Sequence, residues 1–228
     1  MEHRYDRNRG TISAEENQQL LDSSVCVIGC GGLGGGVIEG LARLGVGHIT
    51  AVDGDVFDVS NLNRQVLSNE LVIGRPKALE AKRQMGEINS DVTVTSVVDF
   101  LTGENARSII AGHDVVVDAL DNIDARKILE QACEAEQIPL VHGAIAGWNG
   151  QVAVSMPGDR LLQTIYEGEA NKGEEAETGN PSFTPAVISN LEVAEVLKLL
   201  LGRPGILKNK LLMVNLLHHE YEIIDFGE

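Results

Sequence analysis

Residues 24–55 read SVCVIGCGGLGGGVIEGLARLGVGHITAVDGD, and this stretch decides the fold. Ser24 to Ile28 is a short apolar run that ends in glycine, the pattern of a buried strand. Leu33 to Leu44 carries Val37, Leu41 and Leu44 on one helical face. His48 to Val52 is a second strand, and Asp53 closes it. Between the first strand and the helix lies Gly29-Cys30-Gly31-Gly32-Leu33-Gly34, the arrangement of a nucleotide-binding turn. Its glycines let the backbone approach a phosphate or ribose, and the helix start favours negative charge. Asp53 stands where a carboxylate binds a ribose hydroxyl. The pattern specifies a nucleotide without saying which one.

Working outward, Thr11 to Asp22 reads as a helix with Ser13 and Glu16 at capping-box spacing. Arg75 to Ile88 reads as a helix with Pro76 in its first turn. Val92 to Val98 and Asp114 to Ala119 follow as strands, then a helix from Asp124 to Ala135. Ile138 to His142 and Gly150 to Ser155 are further strands. Gly158 to Pro181 includes GEANKGEEAETGNP, rich in Glu and Gly, and reads as a mobile acidic surface loop. Ala186 to Leu201 is a strongly apolar helix, and Lys210 to Phe226 a terminal hairpin packed on the sheet. Strands alternating with helices predict an α/β fold, Rossmann-like, with a mostly parallel sheet, helices on both faces and a C-terminal β-hairpin. Residues 1–228 are expected to form a single domain.

Hydrophobic residues make up 43% of the chain and aromatics 4%, so the core is expected to be aliphatic. With 34 acidic against 18 basic residues, the formal net charge of −16 repels a phosphate backbone and argues against nucleic acid. No apolar run is long enough for a membrane span. Cys26, Cys30 and Cys133 show no paired spacing, and MEHRYDRNRG has no apolar signal core. These features predict a cytoplasmic protein whose thiols pack in the interior.

Asp53-Gly54-Asp55 is followed by Ser60-Asn61-Leu62-Asn63-Arg64-Gln65. An NAD-dependent oxidoreductase shares the glycine turn and Asp53 but has no evident use for this amide and arginine cluster. An enzyme handling a triphosphate does. Arg64 can neutralise phosphate oxygens, Asn61 and Asn63 can hold ribose or phosphate, and Lys77 at a helix start can reach the same phosphates. Asp118-Ala119-Leu120-Asp121-Asn122 ends a strand, where a carboxylate suits Mg²⁺ bridged to phosphates. One of Asp118 and Asp121 can instead be a loop acid or cap, and Asp121-Asn122 is well placed to cap the next helix. His218-His219 reads as a structural pair rather than a metal site.

Over nearly its whole length the sequence resembles the ThiF/MoeB/HesA family, bacterial relatives of the ubiquitin-activating enzymes. The matching pieces are RYDR (Arg4–Arg7), GCGGLG, LGVGHITAVDGDVFDVSNLNRQ (Leu44–Gln65), GRPKA (Gly74–Ala78), DALDN with Arg126, GAIAGWNGQV (Gly143–Val152) and VISNLEVAEVLKLLLG (Val187–Gly202). The resemblance implies ATP-dependent adenylation of a small ubiquitin-like sulfur-carrier protein ending in Gly-Gly. It implies a nucleotide site of Gly31, Gly32, Asp53, Asp55, Asn61, Asn63, Arg64, Lys77, Asp121 and Asn122, with Asp121 associated with Mg²⁺. Arg64, Lys77 and Asp121 would carry catalysis, joined by Arg7 from the neighbour in a homodimer. Trp148, between glycines, reads equally as simple packing or as a contact to the carrier tail. The chain departs from many relatives in two ways. It lacks two CxxC pairs, so no zinc is expected, and Gly158 to Pro181 holds no cysteine, so a separate sulfur donor is expected. The alternatives are a non-catalytic carrier-docking protein and, further off, the oxidoreductase.

Overall fold

The computed structural model describes residues 4–168 and 178–227. Eight strands form one sheet: β1 (Ser24–Ile28), β2 (His48–Val52), β3 (Thr93–Val97), β4 (Val115–Asp118), β5 (Leu140–Ala146), β6 (Asn149–Ser155), β7 (Lys210–Asn215) and β8 (Glu220–Asp225). The order is β3-β2-β1-β4-β5-β6-β7-β8. β1 to β5 run parallel, and β6, β7 and β8 each join antiparallel. The alternation of strand and helix thus gives the α/β fold it predicts.

Residues alternate between the faces of β1. Val25 and Val27 join one core with α2 (Gly32–Leu44), α3 (Lys77–Ile88) and the long helix Phe183–Leu200. Cys26 and Ile28 join the other, beneath α4 (Ala106–Ile110), α5 (Ile123–Glu136) and α6 (Leu161–Ile165). Helix Phe183–Leu200, α7 here, packs against α2 and β5. Strands buried on both faces read as continuous apolar runs, which made them visible in sequence.

Ser13 caps α1 (Ala14–Asp22) in a reciprocal capping box with Glu16. Two expectations need correction. The terminal hairpin does not lie on the sheet but extends it: β7 pairs with β6 from Ala153↔Leu211 to Asn149↔Asn215, and β8 is an edge strand whose six residues are all exposed. The stretch expected as a loop from Gly158 contains α6, anchored by buried Leu161, Leu162 and Tyr166. Residues 169–177 of that stretch lie outside the described residues.

β1 has β2 on one side and β4 on the other, so the chain reverses its direction of winding there. Such a switch point opens a crevice at the carboxyl ends of the strands. The glycine turn fits into it by close approach: a Cβ on Gly34 would lie 1.8 Å from the Gly29 carbonyl oxygen, and Gly29 itself has φ +101°. Gly34→Ala should therefore lose about 3 kcal/mol or more of stability in urea unfolding, as overpacking against backbone cannot be relieved by a rotamer change. A loss below about 1 kcal/mol would show that the turn relaxes freely.

Candidate active site

The crevice has a volume of about 400 Å³ and is lined from five directions. The glycine turn contributes Gly29, Gly31, Gly32 and Leu33; the end of β2 contributes Asp53 and Asp55; the segment before α3 contributes Arg64 and Gln65, and α3 contributes its first residue, Lys77. Asp99, Phe100 and Leu101 come from the loop after β3, and Leu120, Asp121 and Arg126 from the turn after β4 and the start of α5. Ile145 and Asn180 complete it.

Each side chain is positioned by local bonding. α2 begins at Gly32, and no side chain caps its first turn, leaving backbone N–H groups for an anion. Asp53 is fixed by two backbone donors: Cys30 N–H to Oδ2 at 2.7 Å and Asp55 N–H to Oδ1 at 2.8 Å. Lys77 is buried along its stem and pairs with Asp55 through Nζ at 3.2 Å. Arg64 donates to the Ser60 carbonyl and to Asn63 Oδ1, both at 3.0 Å. Gln65 is buried, and its Oε1 meets no donor among the described residues. A carbonyl oxygen in that setting fits a polar ligand group.

The two acids after β4 divide. Asp118 is fully buried, 2.8 Å from His142 Nδ1, and accepts from Leu120 N–H at 3.0 Å. Asp121 is exposed in the crevice. Asn122, not Asp121, caps α5, accepting from Ala125 N–H at 2.9 Å. The cap therefore leaves the Asp121 carboxylate available to a ligand.

Of the expected nucleotide residues, Gly31, Gly32, Asp53, Asp55, Arg64, Lys77 and Asp121 converge on the crevice. Asn61 does not line it: the residue is buried, and its Oδ1 accepts from Asp58 N–H in a capping box. Asn63 reaches the Asn180 carbonyl at 3.1 Å, on the rim. Arg7 is exposed on a 3-10 turn of Asp6–Asn8 and has no polar partner among the described residues. Sequence reading gave no role to Gln65, Phe100 or Arg126, although Arg126 was visible as a cation soon after DALDN.

Burial holds all three thiols protonated, pushing Cys26 up to about 12 and raising Cys30 and Cys133 as well. Trp148 is half exposed and tilts against Phe183, ring centroids 4.4 Å apart. His218 and His219 are both exposed in the turn between β7 and β8. Among the described residues no three His, Cys, Asp or Glu side chains gather as a metal site, and no helix is long and apolar enough to cross a membrane.

A glycine turn at the switch point, a doubly held acid and two cations define a nucleotide-binding α/β protein. The chain belongs to the ThiF family, whose model matches residues 5–228. It is 35% identical to the SAMP-activating enzyme E1 of Haloferax volcanii, over 98% of this chain and 84% of that one. It is 36% identical to the sulfur carrier protein adenylyltransferase of Thermus thermophilus (92% and 81%) and to the molybdopterin-synthase adenylyltransferase of Salmonella typhimurium (89% and 84%). Its fold matches a crystal structure of E. coli MccB with a TM-score of 0.83 at 20% identity, over 99% of this chain and 70% of that one.

Glu192 of α7 is fully buried, with neither carboxyl oxygen partnered among the described residues. Its carboxyl occupies the space a side chain at Gly143 would need. Burial raises its pKa well above the usual carboxylate range; nearby Asp118 adds to the rise and Arg126 opposes it. A folded pKa above the unfolded one gives stability that is present at acid pH and lost as pH rises through the folded value. Glu192→Gln should thus gain stability over the parent at pH 8 but not at pH 4. Equal differences at both pH values, measured by urea unfolding, would contradict a protonated Glu192.

Proposed function

We propose that this chain activates the C-terminal carboxylate of a small ubiquitin-like sulfur-carrier protein by transferring AMP to it from ATP. The observation that carries this reading is the convergence of the α2 start, Asp53, Arg64, Lys77 and Asp121 on one crevice. The names of the curated relatives, adenylyltransferases of sulfur carriers and of molybdopterin synthase, support the same activity.

Asp53, already oriented by two backbone N–H groups, takes a ribose hydroxyl. The uncapped start of α2 takes a phosphate. Phe100 offers an exposed aromatic wall to the base. Lys77 and Arg64 offset the triphosphate charge. A carboxylate oxygen of the carrier then attacks the α-phosphorus. The bond from that phosphorus to the bridging oxygen breaks, and pyrophosphate leaves with its electron pair. No proton need move, so the chain's contribution is alignment and charge stabilisation. Mg²⁺, held by Asp121 together with substrate phosphates, would supply further charge neutralisation, in keeping with its use of one or two carboxylates.

With its thiols buried, the chain stops at the acyl-adenylate, and sulfur comes from a separate donor. The oxidoreductase and docking alternatives leave Arg64, Lys77 and Asp121 without work. We further read the protein as a cytoplasmic homodimer in which Arg7 reaches the neighbour's phosphates, in the manner of an arginine finger.

Two outcomes are expected. ATP–pyrophosphate exchange should depend on a carrier ending in Gly-Gly and fall about a hundredfold in Asp121→Ala, the scale of losing one electrostatic stabiliser; undiminished exchange would remove Asp121 from the mechanism. Arg7→Ala and Asp121→Ala should each be nearly inactive yet regain activity when mixed and allowed to exchange subunits. Heterodimers that form and stay inactive would show that Arg7 does not act across an interface.

A further inference from the structure

Behind the crevice wall lies a closed circuit of polar groups. Asp118 Oδ2 is 2.8 Å from His142 Nδ1. His142 Nε2 is 3.0 Å from the Tyr166 hydroxyl, which receives Arg126 Nη1 at 3.0 Å and Gln151 Nε2 at 2.8 Å. Arg126 Nη2 donates to the Leu120 carbonyl, and Leu120 N–H donates to Asp118 Oδ1 at 3.0 Å. The guanidinium also lies over the Tyr166 ring, 5.3 Å from its centroid. Asp118 and His142 are fully buried, and Arg126 and Tyr166 nearly so.

The donors and acceptors in this circuit fit one protonation state. Arg126 can only donate, so the Tyr166 oxygen accepts from it, and the Gln151 amide nitrogen donates to the same oxygen. The tyrosine's own hydrogen then goes to His142 Nε2, which the Gln151 amide nitrogen also approaches to 3.1 Å. Nε2 must be bare, so the histidine is neutral and its hydrogen sits on Nδ1, donated to Asp118. Burial lowers the pKa of His142, outweighing the opposing pull of Asp118. The other charged groups near it are Arg126 and Glu130 of α5, with Glu192 approaching Asp118 and Arg126 from α7.

Both ends of the circuit close on Leu120, the residue before Asp121. Its N–H, in the peptide from Ala119, is held by Asp118, and its carbonyl, in the peptide leading into Asp121, by Arg126, so the peptide planes on both sides of Leu120 are fixed. We propose that His142 and Tyr166 are positioning residues: they complete a ring through Asp118, Arg126 and Leu120 that fixes the turn presenting Asp121 to the crevice and seats Arg126 in its wall. Neither lines the crevice. Their effect reaches the chemistry through the Leu120 backbone and the Arg126 guanidinium, as outer-shell partners orient groups that act directly. The proposal rests on the adenylation reading and adds two residues to it.

Two measurements test it. In ¹⁵N-histidine-labelled protein at pH 7, with the His142 signal identified by its loss in His142→Gln, the ring should be the neutral Nδ1–H tautomer. Tyr166→Phe, which keeps the ring and removes only the hydroxyl, should lower kcat for ATP–pyrophosphate exchange tenfold to a hundredfold, the usual range for outer-shell partners. Its KM and Kd for ATP should stay within about threefold of the parent's, because Asp53 and the glycine turn are untouched. A purely structural hydroxyl would lower the melting temperature without this split. An Nε2–H or charged His142 in the parent overturns the ring, even if the variant fails to fold. A variant kcat within twofold of the parent's, or a loss matched by weaker ATP binding, overturns the positioning role. A parent that shows no exchange with any carrier fails the adenylation reading itself, and the tautomer then reports on the ring alone.

Discussion

Gly34 comes so close to Gly29 that no side chain fits between the start of α2 and the end of β1. That approach aims the first turn of α2 into the gap between β1 and β4, where the sheet reverses its winding. The crevice exists because parallel strands end there in a row, and the backbone N–H groups of α2 face it because the glycines permit it. Asp53 depends on the same turn, since one of its two donors is the Cys30 N–H inside it. A displaced turn would move the start of α2 and the Asp53 carboxylate together.

The chain as a whole carries −16 and repels a triphosphate at long range. Salt screens exposed charges beyond roughly 8–10 Å, so the cations lining the crevice decide the local balance. Lys77, Arg64 and Arg126 supply it, and two of them are already engaged with acids: Lys77 with Asp55 and Arg126 with Asp118. Preorganised charge of this kind needs little rearrangement when a ligand arrives. The acids after β4 follow the same logic. Asp118 is consumed in the buried ring, and Asn122 takes the capping duty, which leaves Asp121 to face the crevice.

Much of this was legible in the sequence because it is local. Strands such as Ser24–Ile28 and Val115–Asp118 are apolar on both faces, and the capping box at Ser13 is written within four residues. The crevice-lining residues near the glycine turn were legible through motif spacing. Features that depend on partners far apart in the chain were not. The hairpin extends the sheet because β7 happens to meet β6, some sixty residues earlier, and its own alternation is the same in either placement. Asn61 looks like a ligand in SNLNRQ, yet its carbonyl is taken by the backbone three residues before it. His142 lies on β5, Gln151 on β6 and Tyr166 just past α6, and each looks ordinary alone. α6 is only five residues long, too short for periodicity to show.

The central claim is that this crevice cleaves ATP at the α-phosphorus in order to activate a carboxylate. Phosphorus-31 NMR of the protein mixed with Mg²⁺, ATP and a carrier ending in Gly-Gly tests it most directly. The account predicts pyrophosphate together with AMP bound to the carrier, released as a hydroxamate and free AMP when hydroxylamine is added. Formation of ADP and orthophosphate, with no AMP on the carrier, would contradict it.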